Sequence, residues 1–294
     1  MYIGELAALL TATCWSFNSI LFSDAGRRIG SQSVNHLRLW MALIILGLIQ
    51  LIFFGKPVPS IPAEGAFYLA VSGIIGFFIG DAMLFESFVL IGARMGMLMM
   101  TAVPIFSTFL AWSFLDEKLG VLQLAAILVT TVSIAFVVAE RRNNDRQKGY
   151  LARGIVLGLG GALGQATGLL FSKKGMLEGV HPISANLVRV FAATMMMAFY
   201  FLFRKRFVAD FKKLKKNGVL PRIVGGAILG PVIGVIFSLV AILYAHMGIA
   251  STLMSMSPVL MIPLSRIIYK ERITFRMVLW TLMATTGAAW LFFL

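Results

Sequence analysis

Along the 294 residues, long apolar stretches alternate with short charged or Pro/Gly-rich breaks. The apolar runs fall at about 4–22, 36–54, 66–90, 95–114, 119–138, 153–172, 184–203, 223–246, 249–269 and 275–293. Each approaches the roughly 20 residues that carry a helix across a bilayer. The pattern predicts an all-α integral membrane protein with ten transmembrane helices, the whole chain forming one polytopic domain. The longer breaks are 139–152, with Arg141, Arg142, Arg146 and Lys148, and 204–222, with Lys212, Lys213, Lys215 and Lys216. Neither has the apolar content of a separate domain. The first run has no basic residue before it and no small-residue cleavage site after it, so a retained span is expected there and not a signal peptide.

Composition agrees. Apolar residues make up 59% of the chain and charged ones 13%, against about 25% charged in soluble domains. The net charge of +14 would suggest nucleic acid in a soluble protein, but in a membrane protein it reflects basic cytoplasmic loops, so no nucleic-acid partner is expected. With Arg38, Arg189 and Arg266 set aside as lying within spans, the loops after spans 1, 3, 5, 7 and 9 carry nineteen Lys and Arg, and the other loops four. The count puts both termini outside. Cys14 is the single cysteine, which excludes a disulfide framework and a multi-cysteine metal site.

The two halves of the chain repeat one another. Leu21-Phe22-Ser23 with Gly26 recurs as Leu170-Phe171-Ser172 with Gly175, and Asn35, Arg38 and Trp40 recur as Asn186, Arg189 and Phe191. From the third span onward a constant offset of 154 pairs Gly76 with Gly230, Gly80 with Gly234, Pro104 with Pro258 and Glu117 with Glu271. This divides the chain into a five-helix unit over 1–140, a basic linker over 141–152 and a second five-helix unit over 153–294. Five spans is an odd number, so the second unit must enter the membrane from the opposite side. Inverted repeats of this kind recur in secondary transporters, where they open a midplane site to each side in turn.

On these features the chain resembles the EamA-type branch of the drug/metabolite transporter superfamily. The resemblance rests on the two five-span units, Arg38 and Arg189 early in their second spans, Gly80-Asp81, Ile91-Gly92-Ala93, and the Pro-to-Glu ends of the fourth spans. Those ends run from Pro104 to Leu115-Asp116-Glu117-Lys118-Leu119 and from Pro258 to Tyr269-Lys270-Glu271-Arg272-Ile273. The resemblance implies a multi-pass carrier of amino acids, other metabolites or drugs in the plasma membrane, in prokaryotes the inner membrane. It also implies a central cavity lined by spans 1 to 4 and 6 to 9, with spans 5 and 10 peripheral. Relatives are commonly drawn with both termini cytoplasmic, opposite to the loop count, which is kept because it comes from this chain.

Small residues four apart let membrane helices approach closely. Ser72, Gly76 and Gly80 form such a stripe on span 3, Gly226, Gly230 and Gly234 on span 8, and Gly160, Gly164 and Gly168 on span 6. Spans 3 and 8 are expected to cross near the pseudo-symmetry axis on their glycine faces.

Polar groups inside the bilayer are the candidate site. Asp81 is about 22 Å into its span, too deep for a short side chain to reach either surface. It could bind a proton or a substrate amine, or pair with an arginine and cap a broken helix. Glu86, five residues on, turns roughly 140° away and is expected in a hydrated or salt-bridged setting near the span end. Arg38 and Arg189 follow by three residues the Asn that opens each span, close enough to the ends to snorkel; their alternative role is a pair of gate or anion contacts, one per side. Glu117 and Glu271 are expected as interfacial caps. Trp15 and Asn18 on span 1, Gln165 on span 6, and Ser251 and Ser255 on span 9 are candidates for substrate contact by stacking and hydrogen bonding. Each could instead serve helix packing.

The expected function is secondary active transport of a small polar or amphipathic metabolite, such as an amino acid or related amine, by alternating access, with protons as a candidate coupling ion through Asp81. The missing midplane lysine counts against phosphorylated sugars. A channel is the alternative, though neither a filter nor charged rings are visible. No metal or cofactor is expected. An enzyme is not expected either: there is no His-Glu-x-x-His and no Gly-x-Ser-x-Gly. Phe78 also breaks the GxGD context of an intramembrane aspartyl protease. Without a P-loop, an ATP-driven pump is excluded as a single chain.

Overall fold

A computed structural model of the chain describes residues 2–140, 151–177, 179–257, 259–260 and 274–293. All regular structure among them is helical. The helices are α1 (Ile3–Ile29), α2 (Ser31–Phe54), α3 (Ala63–Gly73), α4 (Asp81–Met100), α5 (Val103–Leu115), α6 (Val121–Glu140), α7 (Leu151–Met176), α8 (Pro182–Phe203), α9 (Phe207–Lys212), α10 (Val219–Ala227), α11 (Val235–Tyr244), α12 (Met247–Met254) and α13 (Phe275–Phe293). Among the described residues, six continuous helical stretches are long and apolar enough to span a membrane: Ile3–Ile29, Ser31–Phe54, Ala63–Ser87, Leu151–Met176, Pro182–Phe203 and Val219–Tyr244. Shorter apolar helices cover Val103–Leu115, Val121–Phe136 and Val278–Leu291. The greater part of the predicted ninth span, with Pro258, Pro263, Arg266 and Glu271, lies outside the described residues.

The helix ends follow from local chemistry. Gly30 and Gly55 take positive φ values of 88° and 69°, the left-handed region that stops a helix at little cost only for glycine. Pro104 and Pro182 stand in the first turns of α5 and α8, where a missing N–H costs nothing. Outward faces carry Phe53, Phe109, Trp112, Phe199 and Leu282. Such surface is stable only against lipid tails.

Two seven-residue π-helical segments interrupt otherwise α-helical spans, Ile74–Gly80 between α3 and α4 and Ile228–Gly234 between α10 and α11. They stand at the 154-residue offset of the sequence repeat, so the repetition extends to an uncommon backbone geometry. The surroundings repeat as well. The α3–π–α4 span packs on α7, and the α10–π–α11 span packs on α1.

Residues Asp81–Met100 take helical conformation, yet Ser87 and Met99 both lie within 3.0 Å of where a Cβ on Gly158 would stand. A straight helix would set them about 18 Å apart, so the chain reverses between them, as expected between the third and fourth spans. The two helices α6 and α13 pack chiefly on each other, with Phe136 stacked on Trp280 at 4.2 Å.

The contacts separate the loops into two sets, as an up-and-down bundle requires. At one face the end of α1 meets the segment after α8: Arg28 donates to Asn217 O (3.3 Å) and Asp24 pairs with Arg222. At the other, Glu117 after α5, Lys173 at the end of α7 and Ala245 after α11 come together.

The glycine stripes do not meet each other. Gly76 and Gly80 of span 3 lie against Gly168 and Gly164 of α7, while Gly230 and Gly234 of span 8 lie against Asn18 and Trp15 of α1. The expected crossing of spans 3 and 8 is replaced by two equivalent crossings, each between one unit's third span and the other unit's first. A stripe of small residues reports that a backbone comes close, and carries no information on which backbone.

Candidate functional site

Breaks in the fourth and ninth spans position the site. Helix α5 is separated from α4 by a turn at Thr101-Ala102, and α12 is followed by one at Ser255-Met256, again 154 residues apart. Between these turns, α1 and α7 lies a cavity of about 180 Å³. Trp15 and Ser19 line it from α1, Gln165 and Leu169 from α7, Met100 and Thr101 from the first break, and Ser251 and Ser255 from the second. Leu84, Val103 and Met254 make the walls largely apolar, and among the described residues no charged side chain lines the cavity.

The hydroxyls are already oriented. Ser251 Oγ donates to Gly248 O (3.0 Å) and Ser255 Oγ to Ser251 O (2.8 Å). Each hydroxyl has one hydrogen to give, so these serines offer lone pairs to a guest. The second break is tied to α1 by a reciprocal pair: Ser16 Oγ donates to Ser257 O (2.9 Å), and Ser257 Oγ donates to Ala12 O (3.0 Å).

Four of the six sequence-derived contact candidates, Trp15, Gln165, Ser251 and Ser255, line this cavity. Asn18 faces Gly230 instead, with its Oδ1 buried and without a hydrogen-bond partner among the described residues. Trp15 and Asn18 are one helical turn apart and both touch the glycine face of span 8, at Gly234 and Gly230, but only Trp15 also reaches the cavity.

Asp81 also lies apart from the cavity lining. It forms an ion pair with Arg38 of α2. The Arg38 Nε donates to Asn35 Oδ1 (2.9 Å), and the guanidinium lies 5.6 and 5.2 Å from the rings of Phe22 and Phe85. Arg189 of α8 turns toward the same third span: its Nε donates to Ser72 Oγ (2.9 Å) and its guanidinium stands 4.7 Å over Phe77. Arg38 is 6% exposed and Arg189 3%. Both therefore turn inward and do not snorkel; a carboxylate for the first, and a serine and an aromatic face for the second, give the cation more than a reach to the interface would. Glu86 is half-buried beside exposed Arg153 at 3.7 Å, a salt-bridged surface position.

Two polar clusters close the faces. Glu117 pairs with Lys173 and accepts the Met247 N–H at 2.7 Å, so it caps α12 and not the end of its own span. At the opposite face Asp210 of α9 is fully buried, accepting from Ser33 Oγ (2.9 Å) and Lys213 Nζ (2.7 Å), with His36 Nδ1 at 3.4 Å. Trp40 Nε1 donates to His36 Nε2 (3.2 Å), and the imidazole stacks on Phe201 at 4.4 Å. Sequence reading missed this cluster, because Asp210 sits in a loop-like basic segment whose burial only the tertiary structure supplies.

The EamA-like transporter family matches the chain twice, over residues 2–139 and 152–293. A solved structure described only as the crystal structure of a protein is similar over 98% of this chain and 95% of that chain, with a TM-score of 0.78 at 15% identity. At that identity the likeness speaks for the fold alone. No curated protein matches the chain.

Proposed function

The chain belongs to the EamA-like transporter family, and from this premise we propose that it is a ten-span secondary transporter that moves a small amphipathic metabolite, such as an amino acid or related amine, by alternating access. Its two inverted five-helix units are residues 1–140 and 153–294, joined by the basic segment 141–152. Its setting is the plasma membrane, with the basic loops on the cytoplasmic side.

The observation that carries the reading is the cavity at the two helix breaks. Its volume of about 180 Å³ compares with the roughly 150 Å³ that accepts benzene in an engineered protein interior, so a guest about the size of a single ring is accommodated. Apolar walls favour a hydrophobic body, and the indole of Trp15 favours a flat or cationic group against its face. An ammonium is a donor only and meets the acceptor lone pairs of Ser251 and Ser255. Proton coupling through Asp81 forms no part of the proposal, since that carboxylate is held by Arg38.

The test is counterflow in proteoliposomes preloaded with members of an amine and amino-acid panel. Saturable counterflow that is lost in Ser255→Phe, with the variant still folded by its melting profile, supports the carrier. Unsaturable flux accompanied by ion conductance would refute it in favour of a channel.

A further inference from the structure

Among the described residues, the third span is gripped by two buried arginines from opposite units. Arg189 holds Ser72, on the α3 side of the π-helical segment 74–80, and Phe77 within that segment; Arg38 holds Asp81 and Phe85, on the α4 side. Each arginine begins its own span, and the two spans start at opposite faces, so the guanidinia approach the segment from opposite sides of the membrane.

Among the described residues only one carboxylate, Asp81, pairs with either of them. The 154-residue offset puts Val235 where a second Asp81 would stand. Arg38 therefore has a direct counter-ion, whereas Arg189, which the Asp81 charge reaches without an ion pair, is 3% exposed and its Nη1 lacks a hydrogen-bond partner among the described residues. A buried cation without full compensation is costly. Symmetry would have supplied each arginine with its own acid, and this chain does not.

The backbone between the two grips is suited to motion. A π-helical stretch holds surplus residue length within a helix. Passing one residue of that surplus along the helix rotates what lies beyond by about 100°. Asp81 immediately follows the π segment, and Phe77, over which Arg189 stands, precedes Asp81 by four residues, about one turn. Gly76 and Gly80 give that turn a smooth face against Gly168 and Gly164.

We propose that Asp81 is a single counter-ion shared in turn by Arg38 and Arg189, and that its exchange between them, by a register shift in the π-helical segment 74–80, accompanies the change of the cavity from one membrane face to the other. This rests on the alternating-access reading and adds the residues that carry it. The structure holds the Arg38 partnership; the Arg189 partnership belongs to the opposite-facing state.

The test uses the full-length protein in vesicles of known orientation, with Cys14→Ser as background and Ser255→Cys as a reporter in the cavity. A membrane-impermeant maleimide is applied to each face in turn. Removing one station traps Asp81 at the other, so Arg38→Gln and Arg189→Gln are expected to move the ratio of the two labelling rates in opposite directions. Each shift should be at least about fivefold, the low end of ordinary coupling between sites. The charge-preserving Arg38→Lys and Arg189→Lys should return the ratio toward the parent, and Asp81→Asn added to either Gln variant should abolish the difference between them. A role confined to holding the fold would move both ratios the same way or neither, and either result overturns the exchange. If the parent is labelled from both faces while the arginine variants leave its ratio unchanged, the exchange fails and the carrier stands. Labelling of the parent from one face alone would overturn both.

Discussion

Substituting alanine for glycine at two positions separates packing from propensity within one protein. A Cβ on Gly73 would lie 2.0 Å from the carbonyl oxygen of Arg189, 2.7 Å from its carbonyl carbon and 2.8 Å from its Cα. All three are backbone atoms, so no rotamer change relieves the clash. Restoring ordinary contact near 3.4 Å requires α3 and α8 to part by about 1.4 Å. Overpacking by one methylene costs about 1–3 kcal/mol where side chains can adjust, and here the upper end applies. Replacing a helical glycine returns about 1 kcal/mol. Gly73→Ala should thus lose about 2 kcal/mol or more, which at roughly 2–4 °C per kcal/mol lowers Tm by about 4–8 °C. Gly47 in α2 has nothing within 4 Å of its virtual Cβ, so Gly47→Ala keeps only the propensity gain and should raise Tm by about 2–4 °C. Thermal unfolding of the detergent-purified protein, followed by tryptophan fluorescence, reads both. Equal stability of Gly73→Ala and parent, or a comparable loss in Gly47→Ala, would refute the close approach of α3 to α8 on which the seating of Arg189 depends.

Trp15→Ala removes the aromatic face of the cavity, a contact worth about 1–2 kcal/mol to a cationic guest; the melting shift given by a binding amine should then need about tenfold more ligand. Glu117→Ala deletes the Lys173 ion pair and the acceptor for the Met247 N–H, costing about 2 kcal/mol, whereas Glu117→Gln keeps an acceptor and should cost less in the same melting assay. Asp210→Ala strands Lys213 and leaves Ser33 without its acceptor. Because Lys213 is a quarter exposed, the loss should fall below the about 3–5 kcal/mol of a fully buried pair. Protease nicking within 204–218 should accelerate, and unchanged nicking would show that the cluster does not hold α9 down.

Much of this molecule is written along the chain. Apolar runs of the right length fix where helices cross lipid, because no other backbone arrangement satisfies its hydrogen bonds there. The 154-residue spacing of Gly76, Gly80 and Pro104 with their partners carries through to matching π segments and matching helix breaks. Trp15, Gln165, Ser251 and Ser255 could be picked as cavity contacts because a polar side chain at mid-depth must face something other than lipid.

Partnership is what the linear order leaves open. Periodicity gives a residue its depth and its face, but not the neighbour that face will meet. Asp81 could be placed at the middle of its span, yet only the packed bundle brings it into a direct ion pair with Arg38. Asn18 carries the same uncertainty as Trp15 one turn away; both meet the glycine face of span 8, and only the packed structure shows that Trp15 also reaches the cavity while Asn18 does not. The glycine stripes announce close contact without naming the other helix, and Asp210, polar and in a basic loop, becomes a buried anchor only when α9 folds back onto α2. In each case the deciding energy belongs to a pair of groups far apart in the chain, and it exists only once the fold has brought them together.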